Sequence, residues 1–278
     1  MDKKVLTVQD ISCVGQCSLT VALPIISACG IETAILPSAV LSTHTYGFKG
    51  FTFRDLTEDI PAIVDHWERE GIRFDAIYTG YLGSKRQIEL VKDLFGRVGN
   101  EGYLKIVDPA MADHGVMYTG FDDAFAAEMA TLCACADILL PNITEATKML
   151  GLPFMAEGYG KDYIETIIDG LLALGAGTVV LTGVSFAEGE LGVAVRAKGD
   201  AETAYYFHEK LPRNSHGTGD IYSSAFVGAL LRGKSALDAA TIAADFTLAG
   251  MKATVGDDTH WYGTKFEKVL PLLMEKLK

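Results

Sequence analysis

Asn214–Gly228 reads NSHGTGDIYSSAFVG, and the rest of the chain is organised around this stretch. Gly217 and Gly219 bracket Thr218, Asp220 follows at once, and an apolar run with helical spacing follows that. Glycine adopts φ values that other residues resist, and it has no Cβ to block a ligand. A helix that starts here offers free N–H groups and the positive end of its dipole. Together these form an anion hole of the kind that cradles phosphate. Asp220 sits inside it, where a hydroxyl can lose a proton. On this reading the dipole lowers the pKa of Asp220. The plainer alternative makes Asp220 an N-cap and the glycines a turn. The surrounding sequence has to decide.

Working outward, the chain alternates short β-type runs with helical patterns. Val5–Val8 reads as a buried strand, Asp10–Gln16 as a polar turn, and Ser18–Cys29 as a helix stopped by Gly30. Ile31–Pro37 is the next strand, giving the βαβ grammar of a parallel sheet. Ser38–Phe53 is a long polar and aromatic connection, and loops of that length are often functional. Further strands are expected at Phe74–Thr79, Tyr103–Val107, Asp137–Leu140 and Thr178–Leu181, with a hairpin at Leu191–Ala197 and Thr203–His208. Helices are expected at Thr57–Glu70, Ser84–Val98, Phe121–Cys133, Thr144–Leu150, Asp162–Ala173, Ser235–Lys252 and Lys265–Leu277. The expected fold is a three-layer α/β/α sandwich with a central, mostly parallel sheet, formed by residues 1–278 as a single domain. Ligands in such sheets sit at the carboxyl ends of the strands. Asp10, Ser38, Gly80, Asp108, Asn142 and Thr182 all fall there on this reading, and topology places them on one rim.

Composition narrows the function. The 278 residues are 49% hydrophobic and 22% charged, enough for a large core. No apolar run approaches a membrane span, and MDKKVLTVQD lacks a signal-peptide core, so a cytoplasmic protein is expected. A net charge of −12 with no basic cluster argues against nucleic acid. Cys13, Cys17, Cys29, Cys133 and Cys135 are odd in number and show no C-x-x-C spacing, so neither a zinc site nor a disulfide framework is indicated. Cys13 and Cys17 flank the candidate site; the other three read as small apolar residues.

Several strand ends carry more chemistry than a turn needs. Asp108-Pro109 with Asp113 places two carboxylates a few residues apart. Asn142 and Glu145 lie one helical turn apart and share a face. Carboxylates beside phosphates suit magnesium, which keeps waters and takes one or two protein ligands. Taken singly, Asp108 also reads as a turn cap, and Asn142 with Glu145 as a capping box.

In this order, Asp108-Pro109-Ala110-Met111-Ala112-Asp113, Pro141-Asn142-x-x-Glu145 and Gly217-Thr218-Gly219-Asp220 resemble the ribokinase superfamily. Thr79-Gly80-Tyr81-Leu82-Gly83-Ser84 and Ser42-Thr43-His44-Thr45 resemble its pyridoxal kinase branch, and Gln9–Gly15 looks like the bacterial pyridoxal/pyridoxamine kinases. The resemblance spans about residues 5–255. It implies a ribokinase-like kinase that uses ATP and magnesium to phosphorylate the 5′-hydroxymethyl group of a B6 vitamer. Asp220 would be the base, and the N–H groups of Gly217, Thr218 and Gly219 would hold the transferred phosphoryl group. Asp113, Asn142 and Glu145 would organise magnesium, with Asp108, Thr182 and His216 along the nucleotide. Tyr81 would pack on the pyridine ring, Thr45 and His44 would lie on the substrate side, and Asp10 or Ser12 would meet the ring's polar edge. His216 has a second reading, as a residue that only shapes its turn. Asp113–Phe121 would be a flap over ATP. A monovalent cation such as potassium and a homodimer are also implied. The first loop is shorter than the S-H-V-x-x-G-x-x-G form of the branch, and Ala112 replaces a frequent glycine.

The nearest rival is a hydroxymethylpyrimidine kinase on the same fold; Tyr81 and His44-Thr45 favour B6. A sugar or nucleoside kinase would carry an N-terminal Gly-Gly motif and a β-lid. A non-catalytic binding protein would not need Asp220 with Asn142 and Glu145. A dehydrogenase would need G-x-G-x-x-G after the first strand, and none is there.

Overall fold

The computed structural model describes residues 3–212 and 216–278. Asn214 and Ser215, at the head of the glycine-rich stretch, lie outside the described residues. In chain order the elements begin β1 (Lys4–Ser12), α1 (Leu19–Ala28), β2 (Glu32–Leu41), β3 (Phe53–Asp55), α2 (Ile60–Arg69), β4 (Phe74–Thr79) and α3 (Lys85–Phe95). They continue β5 (Gly99–Val107), β6 (Ala112–Asp113), β7 (Val116–Met117), α4 (Asp123–Cys133), β8 (Ile138–Leu139), α5 (Ile143–Leu150) and α6 (Lys161–Leu174). The last are β9 (Thr178–Val184), β10 (Glu190–Ala197), β11 (Ala204–Glu209), α7 (Thr218–Leu231), α8 (Ala236–Thr254) and α9 (Leu270–Lys276).

Nine strands form one sheet in the order β11-β10-β9-β8-β5-β4-β1-β2-β3. The six from β9 to β2 run parallel, whereas β3, β10 and β11 pair antiparallel at the edges. Parallel strands covered on both faces read as continuous apolar runs. That is why Val5, Leu6 and Val8 are all fully buried. Two cores result. One holds Leu6, Val8, Ile77 and Val107 with residues of α2 to α6; the other holds Val5, Ala76, Tyr78 and Ile106 with residues of α1, α7, α8 and α9. The helices therefore cover both faces, as expected.

The α7 helix packs closely because its side chains are small. A Cβ on Gly228 would come within 2.3 Å of the Cys29 sulfur on α1. Its fully buried Phe226 contributes about 2–3 kcal/mol of transfer free energy. Among the described residues, no helix is long and apolar enough to cross a membrane.

The expected boundaries shift in three informative places. Asp10 and Ser12 lie within β1, and Ser38 within β2, because each strand runs on past its apolar run. Polar residues at a strand's carboxyl end break the hydrophobic signal, not the pairing: Ile11 and Ser12 still pair with Val40 and Leu41. Thr182 likewise lies inside β9. The final expected helix is a 3-10 turn at Phe266–Val269 followed by α9, with Pro271 in the first turn of α9. The segment Asp113–Phe121 takes in most of the small β6–β7 hairpin, which starts at Ala112.

β1 and β4 are neighbours, yet the chain leaves β1 toward β2 and leaves β4 toward β5. This is the topological switch point, where a crevice opens at the carboxyl ends of the strands. The polar ends of β1 and β4 therefore face the same opening as the start of α7.

Candidate active site

Asp220 lies in the first turn of α7, behind Gly217 at the N-cap. Gly217 has φ +79, and a Cβ there would stand 1.8 Å from the backbone oxygen of Gln16. Only glycine fits, for conformational and steric reasons at once. The close approach locks the loop after β1 onto the glycine-rich turn that opens α7. One result is that the backbone N–H of Ser18 donates to Asp220 Oδ2 at 2.9 Å. Ser18 stands at the N-cap position of α1, but its side chain makes no cap bond and its φ is +51. Strained backbone of this kind is held by its surroundings. Here it aims an amide at Asp220.

The pKa of Asp220 corrects the expectation from the helix dipole. It is raised from 3.8 to about 7, chiefly by burial, with the charges of Asp108 and Asp10 adding to the rise; only the Ser18 amide opposes it. A helix terminus offers at most a couple of kcal/mol to a charge. Desolvation beside two other carboxylates exceeds that.

Asp108 follows β5 and is buried, and Ser223 on α7 donates its hydroxyl to Asp108 Oδ2 at 2.7 Å. Ser223 is one turn past Asp220, so this bond ties the end of β5 to the anion-hole helix. Burial lifts Asp108 to about 6, against the hydrogen bond from Ser223. The sequence showed Ser223 only as a small core residue, since its partner lies 115 positions away.

Asn142 and Glu145 form a complete capping box. The Asn142 side chain accepts from Glu145 N at 2.9 Å, and Glu145 Oε2 accepts from Asn142 N at 2.9 Å. Both residues also reach outward. Glu145 Oε1 accepts from Met111 N at 3.1 Å, and Asn142 Nδ2 donates to the Ala112 carbonyl at 2.8 Å. The pair thus pins the Asp108–Asp113 loop above α5. Burial and the charge of Asp108 push Glu145 well above the usual carboxylate range. Asp113 ends β6 exposed, beside His114. Thr182 bridges to Asn142, and its hydroxyl donates to the Pro141 carbonyl at 3.3 Å.

On the substrate-side reading, Asp10 is buried and accepts from the Ser12 hydroxyl at 3.1 Å. Burial raises its pKa. Tyr81 is half-buried, its ring 5.6 Å from Phe121 at the end of the flap segment, and its hydroxyl is pushed up to about 12 by burial. Thr45 is exposed. His44 is buried and uses both ring nitrogens within the protein: Nδ1 accepts from Tyr46 N at 3.2 Å, and Nε2 lies 2.8 Å from the Tyr262 carbonyl. The amide assigns the proton to Nε2. A neighbouring molecule therefore meets His44 at its ring face or edge.

His216 stacks on Tyr46 at 5.2 Å and leans on His44 at 4.2 Å. Burial, helped by His44, lowers its pKa to about 4, so it is neutral at pH 7 and brings no positive charge to the start of α7. The Cys17 thiol, buried beside Asp220 and Asp10, is pushed far above its ordinary value and is unreactive.

Separate bonds tie Asp108 to α7 through Ser223, the Asp108–Asp113 loop to α5 through Asn142 and Glu145, and Asp220 to the Ser18 amide, while Asp10 and Asp108 act on Asp220 through their charge. Gly217–Asp220 present the helix N-terminus to the same crevice.

Residues 26–262 match the family model described as phosphomethylpyrimidine kinase. The pyridoxine/pyridoxal/pyridoxamine kinase of Bordetella bronchiseptica is 28% identical over 90% of this chain and 89% of its own length. The solved pyridoxal kinase of Lactobacillus plantarum shares 29% identity with a TM-score of 0.89, covering 98% of this chain and 97% of its own. A Bacteroides thetaiotaomicron protein assigned as a phosphomethylpyrimidine kinase, in a crystal form with pyridoxal, shares 36% identity with a TM-score of 0.92, covering 98% and 96%. With a match running from α1 to beyond α8, the chain belongs to the phosphomethylpyrimidine kinase family of the ribokinase-like superfamily.

Proposed function

We propose that this chain is an ATP-dependent kinase that phosphorylates the 5′-hydroxymethyl group of pyridoxal, pyridoxine or pyridoxamine, with residues 1–278 acting as one kinase domain. The observation that carries the reading is Asp220: a carboxylate raised to about 7 at the mouth of a helix N-terminus. A base poised near neutral pH is suited to accept an alcohol proton. Related kinases of B6 vitamers over most of the chain's length supply the substrate class.

Phosphoryl transfer gives a protein little covalent work, so positioning and charge stabilisation dominate. Asp220 orients the substrate hydroxyl and takes its proton as the oxygen bonds to phosphorus. The N–H groups of Gly217, Thr218 and Gly219 hold the charge spread over the moving phosphoryl group. Thr182 lies along the nucleotide, with His216 shaping the turn before the hole. Tyr81 packs on the pyridine ring, Asp10 or Ser12 meets its polar edge, and Thr45 and the face of His44 close the substrate side.

The carboxylates fit a magnesium ion. Among the described residues, Asp108 and Glu145 are buried with no cationic partner, and Glu145 accepts one hydrogen bond on each oxygen. Asn142 is spent on the capping box and on Ala112, so its part is to hold the loop. Among the described residues, no group of three or more His, Cys, Asp or Glu is set to hold a metal by itself. That suits an ion shared with a nucleotide and held by one or two carboxylates such as Asp113 and Glu145. When bound, magnesium neutralises triphosphate charge. A monovalent cation such as potassium, a homodimer and a cytoplasmic location belong to the same reading.

The test is ADP release with magnesium and ATP, offering pyridoxal, pyridoxine, pyridoxamine and hydroxymethylpyrimidine in parallel. A B6 vitamer that exceeds the pyrimidine in kcat/KM supports the proposal. Turnover of the pyrimidine alone moves the enzyme to thiamine chemistry and leaves the role of Asp220 intact.

A further inference from the structure

Gln87 is a buried amide that the proposed mechanism does not use. It sits in the first turn of α3, 1% exposed, directly behind the Gly80–Ser84 loop. Its Oε1 accepts from Gly83 N at 2.7 Å. Its Nε2 donates to the Ser38 carbonyl on β2 at 3.1 Å and to the Thr57 hydroxyl ahead of α2 at 2.9 Å. One side chain therefore joins three segments that are 30 to 49 positions apart from it or local to its loop. With both N–H groups engaged, the amide cannot turn without leaving buried partners unpaired.

What Gln87 holds is the seat of Tyr81. A Cβ on Gly83 would lie 3.6 Å from Tyr81 Cε1 and 3.8 Å from its hydroxyl, so the ring rests over this glycine. The same Cβ would lie 3.7 Å from Gln87 Oε1. From the other side, the Ser38 hydroxyl donates to the Tyr81 carbonyl at 3.4 Å, while Gln87 grips the carbonyl of that serine. Tyr81 is thus fixed at its backbone and under its ring by groups that all trace to one amide. A capping-box glutamine alone would need only its one bond back to the backbone ahead of the helix. Burial and the two cross-links to β2 and Thr57 exceed that.

We propose that Gln87 is a positioning residue that acts through Tyr81: by fixing the Gly80–Ser84 loop it sets affinity for the aromatic substrate and leaves phosphoryl transfer untouched. The substrate part rests on the kinase reading above.

Gln87→Met keeps length and volume and removes the amide. The expected result is a rise of about tenfold in KM for pyridoxal, with kcat and KM for ATP within about twofold of the parent. In a Tyr81→Ala background the same substitution should change the pyridoxal KM by less than about twofold, because the residue it acts through is gone. Should Gln87→Met fold poorly, Thr57→Val removes one of the three bonds and should shift the same KM in the same direction by a smaller factor. A fall in kcat with unchanged KM, equal losses toward pyridoxal and ATP, or an undiminished effect without Tyr81 overturns the proposal. Turnover of B6 vitamers by the parent enzyme tests the kinase reading separately. Hydrogen exchange at the Gly83 amide judges Gln87 whatever the substrate: protection should fall in Gln87→Met, and unchanged protection overturns the proposal.

Discussion

Replacing Asp220 by asparagine should abolish turnover and strengthen the fold, and the size of the second effect follows from the site. The folded pKa of Asp220 is raised from 3.8 to about 7. A group shifted upward favours the folded state while protonated, and that contribution is lost as pH rises through the folded value. Above pH 7 the ionised, desolvated carboxylate therefore costs stability. Three pKa units amount to about 4 kcal/mol; since the residue is only half-buried, about 2–4 kcal/mol is expected. Asparagine has no charge to desolvate, and its carbonyl still accepts the Ser18 N–H that now reaches Oδ2. Asp220→Asn should then be more stable than the parent at pH 8 by about 2–4 kcal/mol. The gap should shrink by up to about 1.4 kcal/mol per pH unit from pH 7 toward pH 4 and vanish there. Urea denaturation at several pH values, or thermal unfolding with a gain of several degrees at pH 8, measures it. In parallel, kcat should fall by about 10²–10⁴ through loss of the base. A variant less stable than the parent at pH 8, or a gap that does not change with pH, would refute the burial argument. Near-normal turnover would refute the base.

The same pKa predicts that kcat/KM for the B6 vitamer rises with pH through an apparent value near 7, and Asp220→Asn should show no such limb; a flat profile in the parent removes Asp220 as the group that titrates. Gly217→Ala puts a methyl 1.8 Å from the Gln16 carbonyl at a positive φ, so it should destabilise the protein by more than about 1 kcal/mol and lower kcat, as urea midpoints and steady-state kinetics will show. Ser223→Ala strips the buried Asp108 carboxylate of its hydrogen bond; a loss of about 1–3 kcal/mol in stability at pH 8 is expected, and an unchanged midpoint would mean water replaces the hydroxyl. Asn142→Ala breaks the capping box and frees the Ala112 carbonyl, which should cost about 1–2 kcal/mol and raise KM for ATP more than KM for the vitamer.

Much of this architecture was written along the chain. Alternating apolar strands and helices need only local periodicity, and the doubly covered sheet follows because Val5, Leu6 and Val8 have no polar face to show to water. The glycine-rich turn before α7 and the N-cap signals at Ser84, Asn142 and Ser235 are local too, since a cap involves residues three apart. The sequence therefore determined the layers, the glycine-rich turn that opens α7 and the list of polar strand ends. It blurred where β1 and β2 stop, because Asp10, Ser12 and Ser38 are polar residues kept inside strands by pairing with their neighbours.

What local pattern could not carry is who meets whom. The helix dipole alone points the charge state of Asp220 the wrong way; burial, and the charges of Asp10, 210 positions away, and of Asp108, all set by the fold, reverse the sign. The Ser18 amide, the Ser223 hydroxyl and the Gln87 amide carry no motif, and each gains meaning from a partner on another element. Tertiary structure decided the electrostatics and the orientation of the site. Those depend on distance and burial in space, whereas the sequence by itself determined which elements form and what chemistry they carry.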